Sequence, residues 1–120
     1  MMEIFKEFTF DSAHSLPMLP ETHKCHNVHG HTYIVRIYVK GKLDDKLGWV
    51  MDFGDIKKVV KPVIDQLDHK FLNDIEGLEN STSEILVKWI WKKLKVDLPL
   101  LSKIIVQETP SSGVVYTGEE

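Results

Sequence analysis

Two histidines separated by one residue, His29 and His31, have the types and spacing of a metal-ligand pair. The segment from Tyr33 to Val39 is rich in β-branched and aromatic residues, which favours a strand. Residues two apart on a strand project from the same face, so the two imidazoles would lie side by side across the small Gly30. Neutral imidazole binds zinc, copper, iron or nickel, and catalytic zinc commonly has three protein ligands and one open position. The pair therefore suggests a metal site, the alternative being two ordinary polar residues of a strand.

A third histidine and the only cysteine could complete such a site. His14 ends a predicted first strand in phase with Phe8 and Phe10, and antiparallel pairing would bring it next to the histidine pair. Alternatively, His14 is a core histidine that binds the backbone. Cys25 precedes His29 by four residues. A thiol beside a metal is a candidate base or nucleophile, whereas a lone buried cysteine is usually a small hydrophobic residue.

Three further ionisable residues occupy the ends of predicted elements. Asp68 and His69 are adjacent at the end of a helix, where one could orient a partner while the other titrates. The alternative interpretation is that the helix dipole stabilises a charged His69 and that Asp68 is solvated. Glu108 comes at the end of an apolar strand, where it is either exposed and inert or binds a guanidinium-like group through two parallel hydrogen bonds.

The elements that must position these residues follow the order of two strands, two helices and two strands. The predicted strands cover residues 4–14, 31–40, 104–109 and 114–117. Asp52 or Asp55 caps a first amphipathic helix that ends near Leu67, although Pro62 should cost it a backbone bond and kink it. Ser81 and Glu84 form a capping box that starts the second helix. This order predicts an α+β domain, an antiparallel sheet covered on one face by helices.

Composition limits the class of protein. The chain has 120 residues, of which 42% are hydrophobic and 28% charged, and this favours one globular domain over residues 1–120. A net charge of -3 does not suggest a nucleic-acid partner. A single cysteine cannot form an internal disulfide, which fits a reducing cytoplasm. No apolar run resembles a signal peptide or a membrane span, so we expect a cytoplasmic protein with no membrane partner.

Six short motifs occur in a fixed order along nearly the whole chain. They are Phe10-Asp11-Ser12-Ala13-His14, Cys25-x-x-x-His29-Gly30-His31, Asp52-Phe53-Gly54-Asp55, Leu67-Asp68-His69-x-x-Leu72-Asn73, Thr82-Ser83-Glu84 and Glu108-Thr109. Each motif alone is weak, but the six in order are highly specific. Together they resemble the 6-pyruvoyltetrahydropterin synthase / 6-carboxytetrahydropterin synthase family.

The resemblance implies roles for nine residues and one cofactor. It implies a Zn²⁺ ion held by His14, His29 and His31. It implies a catalytic thiol, Cys25, that acts with Asp68 and His69. It implies that Glu108 anchors a pterin ring in a pocket also lined by Thr82 and Ser83.

The family's fold is the T-fold, a four-stranded antiparallel sheet with two helices between strands 2 and 3 on one face. Sheets of several subunits close into a barrel, which also removes exposed sheet edges. The resemblance thus implies a homo-oligomer, expected as a homohexamer built as a dimer of trimers, with active sites at subunit interfaces.

The implied activity is that of a zinc-dependent lyase acting on 7,8-dihydroneopterin triphosphate. The short spacing between Cys25 and His29 is similar to that of bacterial and archaeal enzymes that form 6-carboxy-5,6,7,8-tetrahydropterin in deazapurine (queuosine-type) biosynthesis. One alternative is a 6-pyruvoyltetrahydropterin synthase, which eliminates only triphosphate. Another is a non-catalytic pterin-binding module, although binding alone would not need Cys25, Asp68 and His69 together.

Overall fold

Four antiparallel strands carry the three candidate metal ligands and Glu108. The computed structural model describes residues 1–120, and its strands are β1 (Met2–His14), β2 (His29–Gly41), β3 (Leu101–Thr109) and β4 (Ser112–Tyr116). They form one sheet in the order β1-β2-β3-β4, with every neighbouring pair antiparallel. The predicted four-stranded antiparallel sheet is confirmed, and β2 begins two residues earlier than predicted, at His29 itself.

Two helices, α1 (Phe53–Leu67) and α2 (Ser83–Lys95), lie between β2 and β3 in the chain. Asp52 caps α1 by accepting a hydrogen bond from the Gly54 N–H at 2.8 Å, so the first of the two predicted caps is used. α1 is one helix through Pro62, which lies on its exposed side. The carbonyl that loses its partner to the proline ring can therefore be hydrated, which lowers the cost of the missing bond.

The predicted cap of α2 was wrong by one residue. Thr82, not Ser81, is the N-cap, and its hydroxyl accepts a hydrogen bond from the Ile85 N–H at 3.2 Å. Ser81 is fully buried, and its carbonyl and hydroxyl oxygens both face the ring of His14. A tertiary contact has therefore decided in favour of Thr82, although serine is on average the better cap.

The core fixes which face of β2 the histidines occupy. Twenty buried residues from the sheet and the helices form one cluster. In β2 the buried members alternate as Tyr33, Val35, Ile37 and Val39, and His29 and His31 continue the same alternation. Burial of each such aliphatic side chain contributes about 1.5–3 kcal/mol to the stability of the fold. A shift of one residue in the pairing register of β2 would turn all of these side chains, and both histidines, to the other face of the sheet. Neither helix has the length and apolarity needed to cross a membrane.

Candidate metal and catalytic site

The paired ends of β1 and β2 bring three histidines together. His14 lies opposite His29 in the strand register, and Ser12 lies opposite His31. One nitrogen from each of His14, His29 and His31 lies within 4.8 Å of the others. The ring centroids are 4.7 Å apart for His14 and His29, and 5.0 Å for His29 and His31. The antiparallel pairing thus places the third histidine beside the His-x-His pair.

The hydrogen bonds of these rings leave nitrogen lone pairs free for a metal. His14 Nδ1 lies 2.8 Å from the Ser81 carbonyl, and His29 Nδ1 lies 2.7 Å from the Asn27 carbonyl. A carbonyl can only accept, so each Nδ1 carries a proton, and the neutral ring in this tautomer has its lone pair on Nε2. Burial lowers the pKa of His14, which favours the neutral ring. His31 Nε2 is buried without a hydrogen-bond partner. Three clustered imidazoles with nitrogens placed in this way fit a zinc ion, which takes neutral nitrogen ligands.

Glu108 lies between this cluster and a cavity. Its Oε1 accepts a hydrogen bond from the Ser83 hydroxyl, and its Oε2 is 3.5 Å from His31 Nε2. The cavity has a volume of about 280 Å³ and is lined by Leu16, Thr82, Ser83, Glu84, Glu108, Ser112, Gly113 and Val114. This volume is near the lower end of the roughly 300–1,000 Å³ typical of small-molecule sites. From the sequence Glu84 was expected only as the partner of Ser81 in a capping box, and not as a residue of this cavity.

Asp68 and His69 form a tight turn at the end of α1. His69 has φ 56°, the only positive φ outside glycine, and this conformation costs about 1–2 kcal/mol. Its Nδ1 is 3.0 Å from Asp68 Oδ1. The same carboxylate oxygen accepts a hydrogen bond from the Asp11 N–H at 3.0 Å, which lowers the pKa of Asp68 and keeps it charged beside the imidazole. The sequence carried no signal for this backbone conformation, since the position holds neither Gly nor Asn.

A second cavity lies in front of this turn. It has a volume of about 550 Å³ and is lined by Asp11, Ser12, Ala13, Gly30, His31, His69, Lys70 and Phe71. Of the three clustered histidines, only His31 borders this cavity. Asp11, which also lines it, accepts a hydrogen bond from the Thr32 hydroxyl at 2.6 Å, on the face of the sheet opposite the histidine rings.

Cys25 lies in a short 3-10 turn, Lys24–His26, and is partly buried. Its N–H donates to His23 Nδ1 at 3.1 Å, and its carbonyl accepts from the Leu16 N–H at 2.9 Å. It lines neither of the two cavities described above. Of the other predicted site residues, seven lie in the histidine cluster or line one of the two cavities, and Asp68 contacts His69, whereas the thiol lies outside both cavities.

Comparison with known proteins identifies relatives along nearly the whole chain. The sequence pattern of the family described as 6-pyruvoyl tetrahydropterin synthase matches residues 3–119. The 6-carboxy-5,6,7,8-tetrahydropterin synthase of Synechocystis sp. is 39% identical over 97% of this chain and 93% of its own length. The dihydroneopterin monophosphate aldolase of Pyrococcus furiosus is 37% identical over 76% of this chain and 73% of its own. The structure of the Caenorhabditis elegans 6-pyruvoyl tetrahydropterin synthase matches with a TM-score of 0.90 at 30% identity, covering 98% of this chain and 96% of that one.

Proposed function

Because the chain belongs to the 6-pyruvoyl tetrahydropterin synthase family, we propose that it is a zinc-dependent lyase acting on 7,8-dihydroneopterin triphosphate. The products are 6-carboxy-5,6,7,8-tetrahydropterin, acetaldehyde and triphosphate, as in deazapurine (queuosine-type) biosynthesis. The observation that carries this proposal is the meeting of three clustered imidazoles with the Glu108 cavity, across only 3.5 Å between His31 Nε2 and Glu108 Oε2. The similarity to the Synechocystis protein, named for the carboxy product, favours that product.

His14, His29 and His31 would hold the ion. When bound, zinc supplies a Lewis acid that polarises the hydroxyl groups of the substrate side chain and makes a neighbouring proton easier to remove. The role of the chain is to orient the rings, through the carbonyls that accept from His14 and His29, and to bury His31 Nε2 without a protein partner.

Glu108 anchors the pterin ring in the cavity beside the cluster. The amino-pyrimidinone edge of a pterin presents adjacent N–H donors, and a carboxylate can accept both in parallel. The Ser83 hydroxyl fixes one carboxylate oxygen of Glu108, so the direction of the anchor is set before the ligand binds. Thr82 lines the same cavity and caps α2 there. An anchor at this position would direct the substrate side chain toward the histidine cluster.

Cys25, Asp68 and His69 move the protons. A thiolate can abstract a proton that an alcohol cannot, and His69 with the charged Asp68 can accept or return it. Because Cys25 lines neither cavity of its own chain, a neighbouring subunit completes the site in this proposal.

The assembly that fits this need is a homohexamer, a dimer of trimers, with its active sites at subunit interfaces. Both edge strands, β1 and β4, have one unpaired side in the single chain, and pairing them between subunits would close the sheets into a barrel. In this T-fold arrangement residues 1–120 form one domain, and the protein acts in the cytoplasm. Both helices pack on the same face of the sheet. The buried residues of β2 support this helix placement, because they are alternate residues of the strand and cluster with residues of the helices.

The second candidate function is elimination of triphosphate alone to give 6-pyruvoyltetrahydropterin. The fold match to the Caenorhabditis elegans synthase supports it. A non-catalytic pterin-binding module is a third possibility, which the thiol and the Asp68–His69 pair argue against, since binding needs neither.

The test is to incubate the zinc-loaded full chain with 7,8-dihydroneopterin triphosphate and to identify the products by mass. We expect equal amounts of acetaldehyde and 6-carboxytetrahydropterin, lost on chelation and restored by added zinc. A pyruvoyl product without acetaldehyde would support the second function. A parallel incubation with dihydroneopterin monophosphate tests the reaction named for the Pyrococcus relative. Tight pterin binding with no product from either substrate would show that the protein binds pterins without acting on them.

A further inference from the structure

The side-chain amide of Asn73 joins two segments that are distant in the sequence. Asn73 lies in a short 3-10 turn that follows α1. Its Oδ1 accepts a hydrogen bond from the Ser15 N–H at 2.9 Å, and its Nδ2 donates to the Ser15 carbonyl at 2.9 Å and to the Glu79 carbonyl at 3.0 Å. A primary amide has one acceptor oxygen and two N–H donors, and all three groups are used here.

The first of these segments is the end of β1. His14 is the last residue of β1 and pairs with His29, the first residue of β2. Ser15 lies beyond this pairing, so its N–H and its carbonyl need other partners. Asn73 supplies both, as a neighbouring strand would do. The backbone directly after His14 is therefore held by Asn73.

The second segment leads into α2. Glu79 precedes Ser81 by two residues, and Ser81 is fully buried directly before the N-cap of α2. The carbonyl oxygen of Ser81 is 2.8 Å from His14 Nδ1, and its hydroxyl oxygen is 3.1 Å from the same nitrogen. The two oxygens can share one N–H in a three-centre hydrogen bond. The Tyr33 hydroxyl is 3.5 Å from both nitrogens of the ring, so it does not distinguish between them.

The contact with Ser81 decides which nitrogen of His14 is available to a metal. With Nδ1–H bonded to Ser81, only Nε2 is left. Turning the ring over would place a carbon atom against the two buried oxygens and leave them unpaired, which costs free energy. His29 is held differently, because its acceptor is the carbonyl of Asn27, two residues away in the same segment. The orientation of His14 thus depends on two distant segments remaining together.

We infer that Asn73 is a positioning residue of the metal site, which keeps Ser81 at hydrogen-bonding distance from His14 so that His14 Nε2 is left for the metal. This inference rests on the proposed function, in which His14 is a zinc ligand. Asn73 bonds to the backbone of Ser15 and Glu79 and to none of the three histidine rings, so it acts through the segments that it joins. Without its amide these segments separate, and the ring of His14 loses its fixed orientation.

The test measures the zinc affinity of Asn73→Ala in the full chain by competition with a chelating dye. We expect its Kd for zinc to rise by ~3- to 100-fold, up to the effect of removing a group that hydrogen-bonds a metal ligand directly. The reason is that the ring must then be ordered when the ion binds.

Asn80→Ala is the matched control. Asn80 is a partly buried amide beside Ser81, but its side chain bonds to neither Ser15 nor Glu79. The zinc Kd of this variant should stay within about 2-fold of the wild type. Wild-type zinc affinity in folded Asn73→Ala would overturn the inference even if the variant were less stable, because Asn73 would then only hold the loops together.

The imidazole proton of His14 gives a readout that does not depend on the metal. In the metal-free wild type the Nδ1 proton is buried and hydrogen-bonded, so NMR should detect it. It should exchange with water at least ~10-fold faster in Asn73→Ala. Weaker zinc binding with unchanged exchange of this proton would also overturn the inference, since the effect would then reach the metal by another route.

Asn73→Asp replaces Asn73→Ala if the alanine variant does not fold. The aspartate keeps the size of the side chain and the acceptor for the Ser15 N–H, but it loses both donors. Its carboxylate would also face the carbonyl oxygens of Ser15 and Glu79, which repel it. The same weakening of zinc binding and the same faster exchange of the His14 proton are expected, and the same two results would overturn the inference.

A variant of His14 separates this inference from the proposed function. His14→Ala should bind zinc weakly, and Asn73→Ala/His14→Ala should bind it no more weakly than His14→Ala, because Asn73 acts through His14. Wild-type zinc affinity in His14→Ala would contradict the three-histidine site of the proposed function. Weak binding in His14→Ala together with a further loss in the double variant would show that Asn73 acts on something else, and only the inference would fail.

Discussion

Glutamine in place of Glu108 tests how the pterin ring is held. The substitution keeps the size of the side chain, removes its charge and turns one of its two acceptor oxygens into an N–H donor. In the wild type Oε1 already accepts from the Ser83 hydroxyl, so the remaining lone pairs of both oxygens must receive the pterin N–H groups. Whichever way the new amide of Glu108→Gln is oriented, only one oxygen is left, and a parallel pair of bonds cannot form.

The expected loss follows from one hydrogen bond to a charged group. Such a bond is worth about 1.5–3 kcal/mol, which corresponds to a ~10- to 150-fold higher Kd. Glu108 is only 28% exposed, so solvent screening should not bring the loss below this range. Zinc affinity should be unchanged, because the cluster has its three ligands without Glu108.

Calorimetric titration of the zinc-loaded protein with dihydroneopterin measures this loss. Glu84→Gln is the matched control, because Glu84 lines the same cavity but is exposed. Its Kd should stay within about 2-fold of the wild type, as expected for an exposed charge. Equal affinity of Glu108→Gln and the wild type, or an equal loss in the two variants, would refute the assignment of Glu108 as the anchor.

Three further predictions concern the metal, a helix cap and pH. His14→Ala should bind zinc at least ~10- to 100-fold more weakly in competition with a chelating dye, and stoichiometric zinc at wild-type affinity would contradict the three-histidine site. Asp52→Ala loses the acceptor for the Gly54 N–H, so its free energy of unfolding, measured by urea titration, should be lower by about 1 kcal/mol. An unchanged urea midpoint would show that the cap is not needed. Burial holds the pKa of His14 in the folded protein below 6.5, so the folded state binds fewer protons than the unfolded state. The metal-free protein should therefore lose stability as pH falls from 6.5 through that lower pKa, a slope that His14→Ala should lack.

The histidine cluster could be predicted from the sequence because it depends on two simple regularities. Alternation along β2 places His29 and His31 on the same face as Tyr33, and antiparallel pairing brings His14 across to them. Both regularities are local or involve strands adjacent in the chain. Burial of the alternating residues of β2 then fixes the register that the pattern suggested.

Other features of the site depend on contacts that no local pattern encodes. The run Ser81-Thr82-Ser83 offers three residues suited to a helix cap, and the contact of Ser81 with His14 decides that Thr82 is used. The left-handed backbone of His69 contradicts local preference and is explained only by the end of β1 packed against it. Asp11 and Ser12 had no assigned role, because on a strand they read as ordinary alternating residues.

The central claim, that the site is catalytic, is tested most directly by the turnover of Cys25→Ala with 7,8-dihydroneopterin triphosphate. If the thiol moves a proton, the variant should bind zinc and pterin nearly as well as the wild type and lose turnover by ~10²–10⁴-fold. Cys25→Ser should not restore it, because an alcohol is far less acidic than a thiol. Turnover of Cys25→Ala within a few-fold of the wild type would contradict the account and leave Cys25 as a small, partly buried side chain.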